Sequence, residues 1–531
     1  RQQGDLLRRT IEAAERHFDA GYIERARSLL EDAVLASSSE EQKARAIARL
    51  GWVTVQLDGF HVGAEFFRRA AAEPFADITL RIEVEQGLAW CLHETEGVGG
   101  AMPHASRALE LAEAHGDPSI LAGALTYVAF LETLAGEGVA FATIDRAVEL
   151  GHARHWSQIL GRPDWVHGML VQWSGDLATA KARFAELHDE AVERGDEHAL
   201  PFILFHQARI ELLLGNWTAA RAYADEADGA TVDSGQVGER PYSLLIVALV
   251  DAHLGLVDQA KERIEQALVP AEQLGVAPAR IELLATRGFL QLSCGELAAA
   301  DRTLEQVREL AEQYGIREPA LFRHHGDAVE VKIALGRLDE ARAQLAELDT
   351  LAERLDRPVL RAIAGRCRGL LAAAEGDLGA AYEPVERALE LHPAAAQPFE
   401  EARTLLALGG IQRRDRKKRA TRESLERALS MFDELGAALW SARARDELAR
   451  VGGRASAGTL TATETQVAEL IAAGRTYREA ADALFISPKT VQWNLSKIYR
   501  KLGIRSRAEL AAALARSRED ATPLGDATIG S

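Results

Sequence analysis

The chain repeats one short signal at a nearly constant interval, a glycine followed five residues later by an alanine. From Gly175 to Gly376 the successive glycines are separated by 40, 40, 40, 41 and 40 residues. A period of this length is typical of solenoids, in which each helical unit buries its apolar face against its neighbours. The nine clear copies are Gly21/Ala26, Gly59/Ala64, Gly100/Ala105, Gly175/Ala180, Gly215/Ala220, Gly255/Ala260, Gly295/Ala300, Gly336/Ala341 and Gly376/Ala381.

Both residues of this signal have a physical reason to recur. Glycine adopts the left-handed backbone that ends the first helix of a pair, and alanine lets the second helix approach the first closely. A weaker copy lies near Gly136, and Asp415 with Ala420 forms a last copy without glycine. These features predict an all-α fold, in which residues 1–450 form a TPR-like helical-repeat superhelix of about eleven hairpins, closed by a helix over 438–450.

The segment 460–514 follows a different pattern, that of four short helices. Two capping boxes predict the first two helix starts, and a Ser-Pro pair begins the third helix, because proline fits the first helical position. An apolar stripe marks the buried face of the third helix, and a fourth helix is predicted over 506–515. In chain order these residues are Thr461/Glu464, Thr476/Glu479, Ser487/Pro488 and the stripe Val491, Leu495, Ile498 and Leu502. This order predicts a helix-turn-helix whose third helix enters the major groove of DNA.

Polar residues surround that stripe on the third helix. We predict that those near its start face base edges and that basic residues further along contact phosphates. Trp493 could belong to the core, but it lies off the apolar stripe, which favours a groove-facing ring. The predicted DNA-binding residues are Thr476 and Arg478 at the second helix and Lys489, Thr490, Gln492, Trp493, Ser496, Lys497, Arg500 and Lys501 on the third.

Charge is distributed unevenly along the chain. The formal net charge is −18, which by itself would argue against a nucleic-acid partner. Residues 460–515 nevertheless carry eight lysines and arginines against five acidic residues. An acidic body with a basic end is expected when one small domain binds DNA and the rest of the chain does not.

The C-terminal segment also resembles a known family. The stretch SPKTVQWNLSKIYRKLGIRSRAEL resembles the LuxR-type DNA-binding domain and, more narrowly, the large ATP-binding LuxR regulators (the LAL family), which are similar to the maltose-regulon activator. The segment that begins PFEEARTLLALGGIQRR resembles the end of the repeat region in that family. Tyr477, Ala480 and Gln492 depart from the usual family residues. The resemblance implies a transcriptional regulator that binds double-stranded DNA as a dimer, with RNA polymerase as a further partner.

The resemblance also implies a nucleotide-binding domain upstream, with ATP as its ligand. The chain contains no phosphate-binding loop of the GxxxxGK[ST] kind, no nucleophile elbow and no convergent acid–base pair. We therefore expect no cofactor and no enzymatic activity in this chain. Because it opens on Arg1 rather than on methionine, we expect that an N-terminal portion precedes it.

Three further clusters allow two interpretations each. Trp156, Trp165 and Trp173 could line a pocket for an inducer, but core filling where the repeat spacing slips is favoured. The basic run over 413–419 could extend the DNA footprint, although solvated turn charge is the simpler interpretation. The pair His324-His325 has no third ligand at a metal spacing, which predicts no metal site.

The remaining features concern location and boundaries. Three unclustered cysteines, Cys91, Cys294 and Cys367, indicate neither disulfides nor metal and fit a reducing cytoplasm. No apolar run has transmembrane length, so no membrane partner is expected. Residues 451–459 are predicted to be a flexible linker, 460–516 the LuxR-type domain and 517–531 a disordered tail.

Together these observations predict a cytoplasmic transcriptional regulator. Its repeats would receive a small-molecule inducer or a protein partner, and its C-terminal domain would bind an operator. Two alternatives stay open. The chain could be a scaffold for protein contacts only, which would not need the basic third helix, or the C-terminal part of a signalling NTPase.

Overall fold

A computed structural model describes the chain apart from residues 1, 20–21, 38, 152–160, 198, 452–461, 485–487, 503, 505, 508, 511–513 and 515–531. The chain divides into two compact units, Arg1–Ala442 and Arg443–Ser531. Throughout the part that is described, the regular elements are helices, which confirms the predicted all-α fold. The predicted linker, apart from Val451, and the predicted tail lie outside the described residues.

The repeat region begins with sixteen helices. They are α1 Gln2–Asp19, α2 Ile23–Ala36, α3 Glu40–Asp58, α4 Phe60–Ala72, α5 Ile78–Thr95, α6 Val98–His115, α7 Pro118–Leu134, α8 Phe141–Gly151, α9 Pro163–Ser174, α10 Leu177–Arg194, α11 Leu200–Leu214, α12 Trp217–Asp233, α13 Arg240–Leu254, α14 Val257–Leu274, α15 Ala277–Cys294 and α16 Leu297–Gln313. A 3-10 turn, Val237–Glu239, precedes α13. Eight more helices follow: α17 Pro319–Phe322, α18 His325–Ala334, α19 Leu338–Leu355, α20 Pro358–Glu375, α21 Leu378–Ala395, α22 Pro398–Arg414, α23 Lys418–Leu435 and α24 Ala438–Val451.

Consecutive helices of this region pack in pairs. Among the described residues the pairs run from α1 with α2 to α22 with α23, with α17 and α18 together forming the first helix of the ninth pair. The break between α17 and α18 falls at Arg323, which has a φ of 32°. This arrangement gives the eleven predicted hairpins, and α24 is the predicted closing helix.

The glycine–alanine signal has the predicted roles. The turn glycines from Gly175 to Gly376 have positive φ angles between 76° and 99°. The paired alanines are buried on the second helix of each hairpin, and Ala180, Ala220, Ala260, Ala300, Ala341 and Ala381 are all 0% exposed. A left-handed turn and a close helix contact therefore recur in every one of these repeats.

Two copies of the signal were assigned wrongly. Gly100 lies inside α6, and the left-handed turn before this helix is Gly97, with a φ of 82°. The last copy is Arg416 with Thr421, one residue later than the predicted Asp415 with Ala420, because Arg416 has a φ of 60° and Thr421 is the buried residue. Arg416 follows Gly376 by 40 residues, so the length of the repeat is kept where glycine is not.

Successive turns of the superhelix contact each other. The Val98 N–H donates to the Tyr314 carbonyl at 2.9 Å, and the Arg317 N–H donates to the Leu134 carbonyl at 2.8 Å. A Cβ added at Gly97 would overlap the Tyr314 carbonyl. Glycine is needed there for close approach as well as for its φ angle, and the contact encloses an interior lined by first helices of the hairpins.

A buried ion-pair network joins the ninth, tenth and eleventh hairpins. The Arg366 guanidinium, 1% exposed, donates to Glu330 at 2.9 Å and to Glu400 at 2.7 Å. Arg403, also buried, donates to Asp327 at 2.6 Å and to Glu330 at 3.0 Å. These arginines hold the pKa of Glu400 well below its usual range, despite burial. Each charge of the network is thus compensated inside the protein.

The C-terminal unit contains α25 Ala462–Ala472, α26 Tyr477–Ala483 and α27 Pro488–Leu502. Residues 507, 509, 510 and 514 are helical as well, and the Leu510 N–H donates to the Ser506 carbonyl at 3.0 Å. The core contains the predicted stripe of α27, and its fully buried members are Val467, Ala468, Ile471, Ala480, Ala481, Val491, Leu495, Ile498 and Leu510. Thr461, Phe485, Ile486 and Ser487, assigned to caps and a turn, lie outside the described residues.

Candidate nucleic-acid interface and interior cavity

Helix α27 has two distinct faces. Val491, Leu495 and Ile498 are buried in the core of the C-terminal unit. The side chains of Lys489, Thr490, Gln492, Trp493 and Ser496 are exposed on the remaining surface. The Trp493 ring is 58% exposed, which is unusual for a large apolar side chain. The helix therefore presents a polar and aromatic surface of the composition used to read base edges.

Two contacts organise this surface along the helix. The Lys497 Nζ lies over the Trp493 ring, 3.4 Å from the ring centroid. The Ser496 hydroxyl donates to the Gln492 carbonyl at 3.0 Å. The ammonium group is thus held one turn beyond the ring by a cation–π contact. Arg500 and Lys501 lie on α27, but their side chains are outside the described part.

The start of α26 is a capping box. The Thr476 hydroxyl donates to the Glu479 carboxylate at 2.9 Å and accepts from the Glu479 N–H at 3.3 Å. The Thr476 N–H also donates to this carboxylate, and these bonds lower the pKa of Glu479. The Thr476 side chain is therefore engaged within the protein, whereas Arg478 is exposed. The DNA contacts of all ten predicted residues stay predictions.

Arg507 has a role that was not predicted. Its Nε donates to the Ile471 carbonyl at 2.6 Å and its Nη2 donates to the Arg475 carbonyl at 2.9 Å. These are carbonyls at and beyond the end of α25, which lack a partner within that helix. Arg507 thereby ties the last helical segment to the first helix. A basic residue just after a helix cap would have been the only sequence signal.

The helix-turn-helix arrangement and the exposed face of α27 define a DNA-binding domain. Residues 458–514 match the family described as bacterial regulatory proteins, luxR family. The spore germination protein GerE of Bacillus subtilis is 40% identical over 60 residues, which are 11% of this chain and 81% of GerE. Through this domain the chain belongs to the luxR family of bacterial regulatory proteins.

A longer similarity includes the repeats. A protein of Mycobacterium bovis described as an HTH-type transcriptional regulator is 26% identical over 468 residues, which are 80% of this chain and 52% of the relative. The chain thus spans about half the length of the curated relatives that it matches over its repeats. The crystal structure of the APC/C hetero-tetramer Cut9-Hcn1 has a TM-score of 0.52 at 13% identity and covers 83% of this chain and 89% of that chain, a likeness of fold.

The repeat region encloses a large aromatic cavity. It contains about 1040 Å³ of space free of atoms, including its opening to solvent. Trp165 and Trp173 line it and are each 4% exposed, so they contribute both to the core and to the cavity wall. Trp156 lies outside the described residues. Binding of a ligand by these tryptophans stays a prediction.

The sequence analysis missed most of the cavity wall. Trp90, Phe130 and Met169 line it from successive first helices, at intervals of 40 and 39 residues. Neighbouring rings are in contact, with centroids 5.7 Å apart for Trp90 and Tyr127 and 6.0 Å apart for Phe130 and Trp173. Large side chains recurring at one position of the repeat were the signal that could have revealed this wall.

Buried carboxyl groups lie among these rings. Glu94 is 3% exposed, and burial together with repulsion from Glu239 raises its pKa well above the usual range. Burial also raises the pKa of Glu239 to about 7. A third carboxyl group, Glu282, pairs with Arg209, whereas within the described residues no lysine or arginine pairs with Glu94 or Glu239. The cavity therefore has more acidic than basic groups.

The other two clusters have local partners. In the basic run, Lys417 pairs with Asp415 at 2.9 Å and Arg419 pairs with Glu423 at 2.8 Å. The rings of His324 and His325 are in contact, and burial lowers the pKa of both. No group of three His, Cys, Asp or Glu side chains suited to a metal occurs in the described ranges. Nor does any described helix combine the length and apolar character needed to cross a bilayer.

Proposed function

We propose that this chain is the signal-receiving and DNA-binding part of a LuxR-type transcriptional regulator. The observation that carries the DNA-binding role is the exposed, polar and aromatic face of α27 in a domain of the luxR family. The repeats enclose a cavity of a size that suits a small molecule, which supports a role in receiving a signal. A protein partner on the repeats is the alternative form of that signal.

The finer assignments belong to the same proposal. Membership of the LAL family would add an upstream domain that binds ATP, and the unmatched half of the longer relatives is compatible with such a domain. Binding as a dimer would place two copies of α27 on half-sites one helical turn apart. RNA polymerase would be the partner that transmits the signal, and the site of action would be the bacterial cytoplasm.

The direct test is selection of bound sequences from random double-stranded DNA by the full chain, followed by titration. We expect a preferred site that is bound at least about a thousandfold more tightly than random DNA. Equal affinity for selected and random DNA would contradict a sequence-specific regulator. Absence of binding to either DNA at low salt would contradict the DNA-binding role itself.

Base preference should depend on Gln492. Its amide can pair bidentately with adenine in the major groove, and one good base contact contributes roughly 1–3 kcal/mol of discrimination. The Gln492→Ala variant should therefore lower the ratio of selected to random affinity by roughly 5- to 150-fold. The matched control is Gln466→Ala, an exposed glutamine on α25, which should leave the ratio unchanged. An equal loss on both DNAs would indicate a phosphate contact instead.

Lys497 should contribute affinity without base preference. A lysine beside a phosphate displaces condensed counterions whichever bases are present. Lys497→Ala should weaken binding to selected and random DNA alike and reduce the slope of log affinity against log salt by about one. The control is Arg387→Ala on α21 of the repeat region, an exposed side chain. An unchanged slope in the Lys497 variant would show that its ammonium group stays on the Trp493 ring and does not contact DNA.

A further inference from the structure

The interior cavity combines aromatic walls with acidic groups in a way that indicates the chemistry of its ligand. Its rings come from five successive first helices, α5, α7, α9, α11 and α13. Faces of such rings carry negative partial charge and attract cations. In a hydrophobic core without a ligand, one would expect no ionisable groups among them. Here Glu94 and Glu239 lie in the same wall.

The charges around the cavity do not balance. Arg209 is the one guanidinium in its wall, and this group is bound to Glu282 and lies 4.6 Å from the Phe205 ring centroid. Glu94 has as its closest polar neighbours the Tyr242 hydroxyl, at 3.5 Å, and the His93 ring, at 3.5 Å. Burial lowers the pKa of His93 to about 3, so this ring is neutral. Two carboxyl groups are therefore left without a cationic partner among the described residues.

Other polar atoms of the wall are also unpaired. The indole N–H groups of Trp165 and Trp173 and the Nδ1 of His93 are buried and have no hydrogen-bond partner within the described part of the chain. A buried polar group without a partner is destabilising, by about 1–3 kcal/mol. The buried ion pairs elsewhere in this superhelix show no such deficit of charge. This difference sets the cavity apart as a place where a partner from outside is missing.

We propose that the cavity binds an organic cation, an amine or quaternary ammonium attached to an apolar body, with its charge beside Glu94 and Glu239. The rings of Trp90, Tyr127 and Trp173 would surround the apolar body and the charged group. The unpaired indole N–H groups can donate to an acceptor atom on the same molecule. This inference rests on the proposed signal-receiving role of the repeats and names the chemical class of the signal.

Three probes of similar size separate charge from shape. We would titrate the full chain at pH 8 with phenyltrimethylammonium, with its neutral isostere tert-butylbenzene and with benzenesulfonate, by calorimetry and tryptophan fluorescence. The cation should bind at least about tenfold more tightly than the neutral isostere, since a desolvated cation–π contact and two carboxylates act on it alone. The anion should not bind. Equal affinity for cation and isostere, or preference for the anion, would overturn the proposal.

Variants then test which groups supply the selectivity. Glu94→Gln and Glu239→Gln should each lower the affinity for phenyltrimethylammonium about tenfold and leave the affinity for tert-butylbenzene unchanged, which also shows that the cavity is intact. Glu113→Gln, on the exposed side of α6, should change neither affinity. Unchanged cation binding in both cavity variants would overturn the assignment.

The regulatory role has a separate readout. Affinity for selected DNA should change at least about threefold when phenyltrimethylammonium saturates the full chain, if cavity and DNA-binding domain are coupled. Binding of the cation with no effect on DNA affinity would support the site and contradict the signal-receiving role. Failure to bind the cation, with DNA binding intact, would contradict the site alone.

Discussion

The Arg366→Met variant should lose about 3–5 kcal/mol of unfolding free energy, the largest effect that we expect from a single substitution in the repeats. Methionine keeps much of the side-chain volume, so the loss comes from charge. Removing this guanidinium leaves Glu330 and Glu400 buried with Arg403 as their main cation. The measurement is denaturant unfolding, with hydrogen exchange of α20 to α22 to follow the affected hairpins.

The control for this prediction lies two residues away on the same helix. Arg368 pairs with Asp349 at 2.8 Å, but its side chain is 45% exposed. An exposed ion pair contributes at most about 1 kcal/mol, so Arg368→Met should be close to wild type. Similar stability of the two variants would show that the network of Arg366 is accessible to water. Restored stability in Arg366→Met combined with Glu400→Leu would identify the unpaired carboxylate as the cause.

The hairpins could be predicted because their signals are local. A left-handed turn and a buried alanine require only a few residues of context, so Gly175 and Ala180 mark their turn and contact without knowledge of the rest. The same reasoning failed at Gly100, where three glycines in four residues offered alternative turns. It failed at Arg416 because repeat length there fixes a left-handed residue against its usual preference.

The interior could not be predicted in the same way. Which side chains meet across the superhelix depends on how far each hairpin rotates relative to the one before it, a property of packing that no short pattern encodes. Glu94 and Glu239 are 145 residues apart in sequence yet share one wall. Arg366 and Arg403 looked like ordinary surface charges on amphipathic helices. In the C-terminal domain, by contrast, the apolar stripe of α27 identified both the buried face and the exposed one.

Glu239 should make the stability of the protein depend on pH in a characteristic direction. Its pKa is about 7 in the folded protein, against an ordinary value of 4.5. Below pH 4.5 the group is protonated in both states and has no effect. As the pH rises from 4.5 to 7 the unfolded chain releases this proton before the folded protein does, so stability is lost, and above pH 7 the loss is constant. The total is about 3 kcal/mol.

The Glu239→Gln variant isolates this effect from other titrating groups. Neutral buried histidines act in the opposite direction, because His93 and His206 must become charged on unfolding below pH 6.5. Groups that face Glu239 across the cavity are Glu94, Tyr242, and the Arg209–Glu282 pair. The unfolding free energy of Glu239→Gln minus that of wild type should therefore grow by about 3 kcal/mol between pH 4.5 and 8. A difference independent of pH would mean that water or a bound cation already solvates this carboxylate, and saturating phenyltrimethylammonium should itself flatten the curve, because it stabilises the ionised form in the folded state.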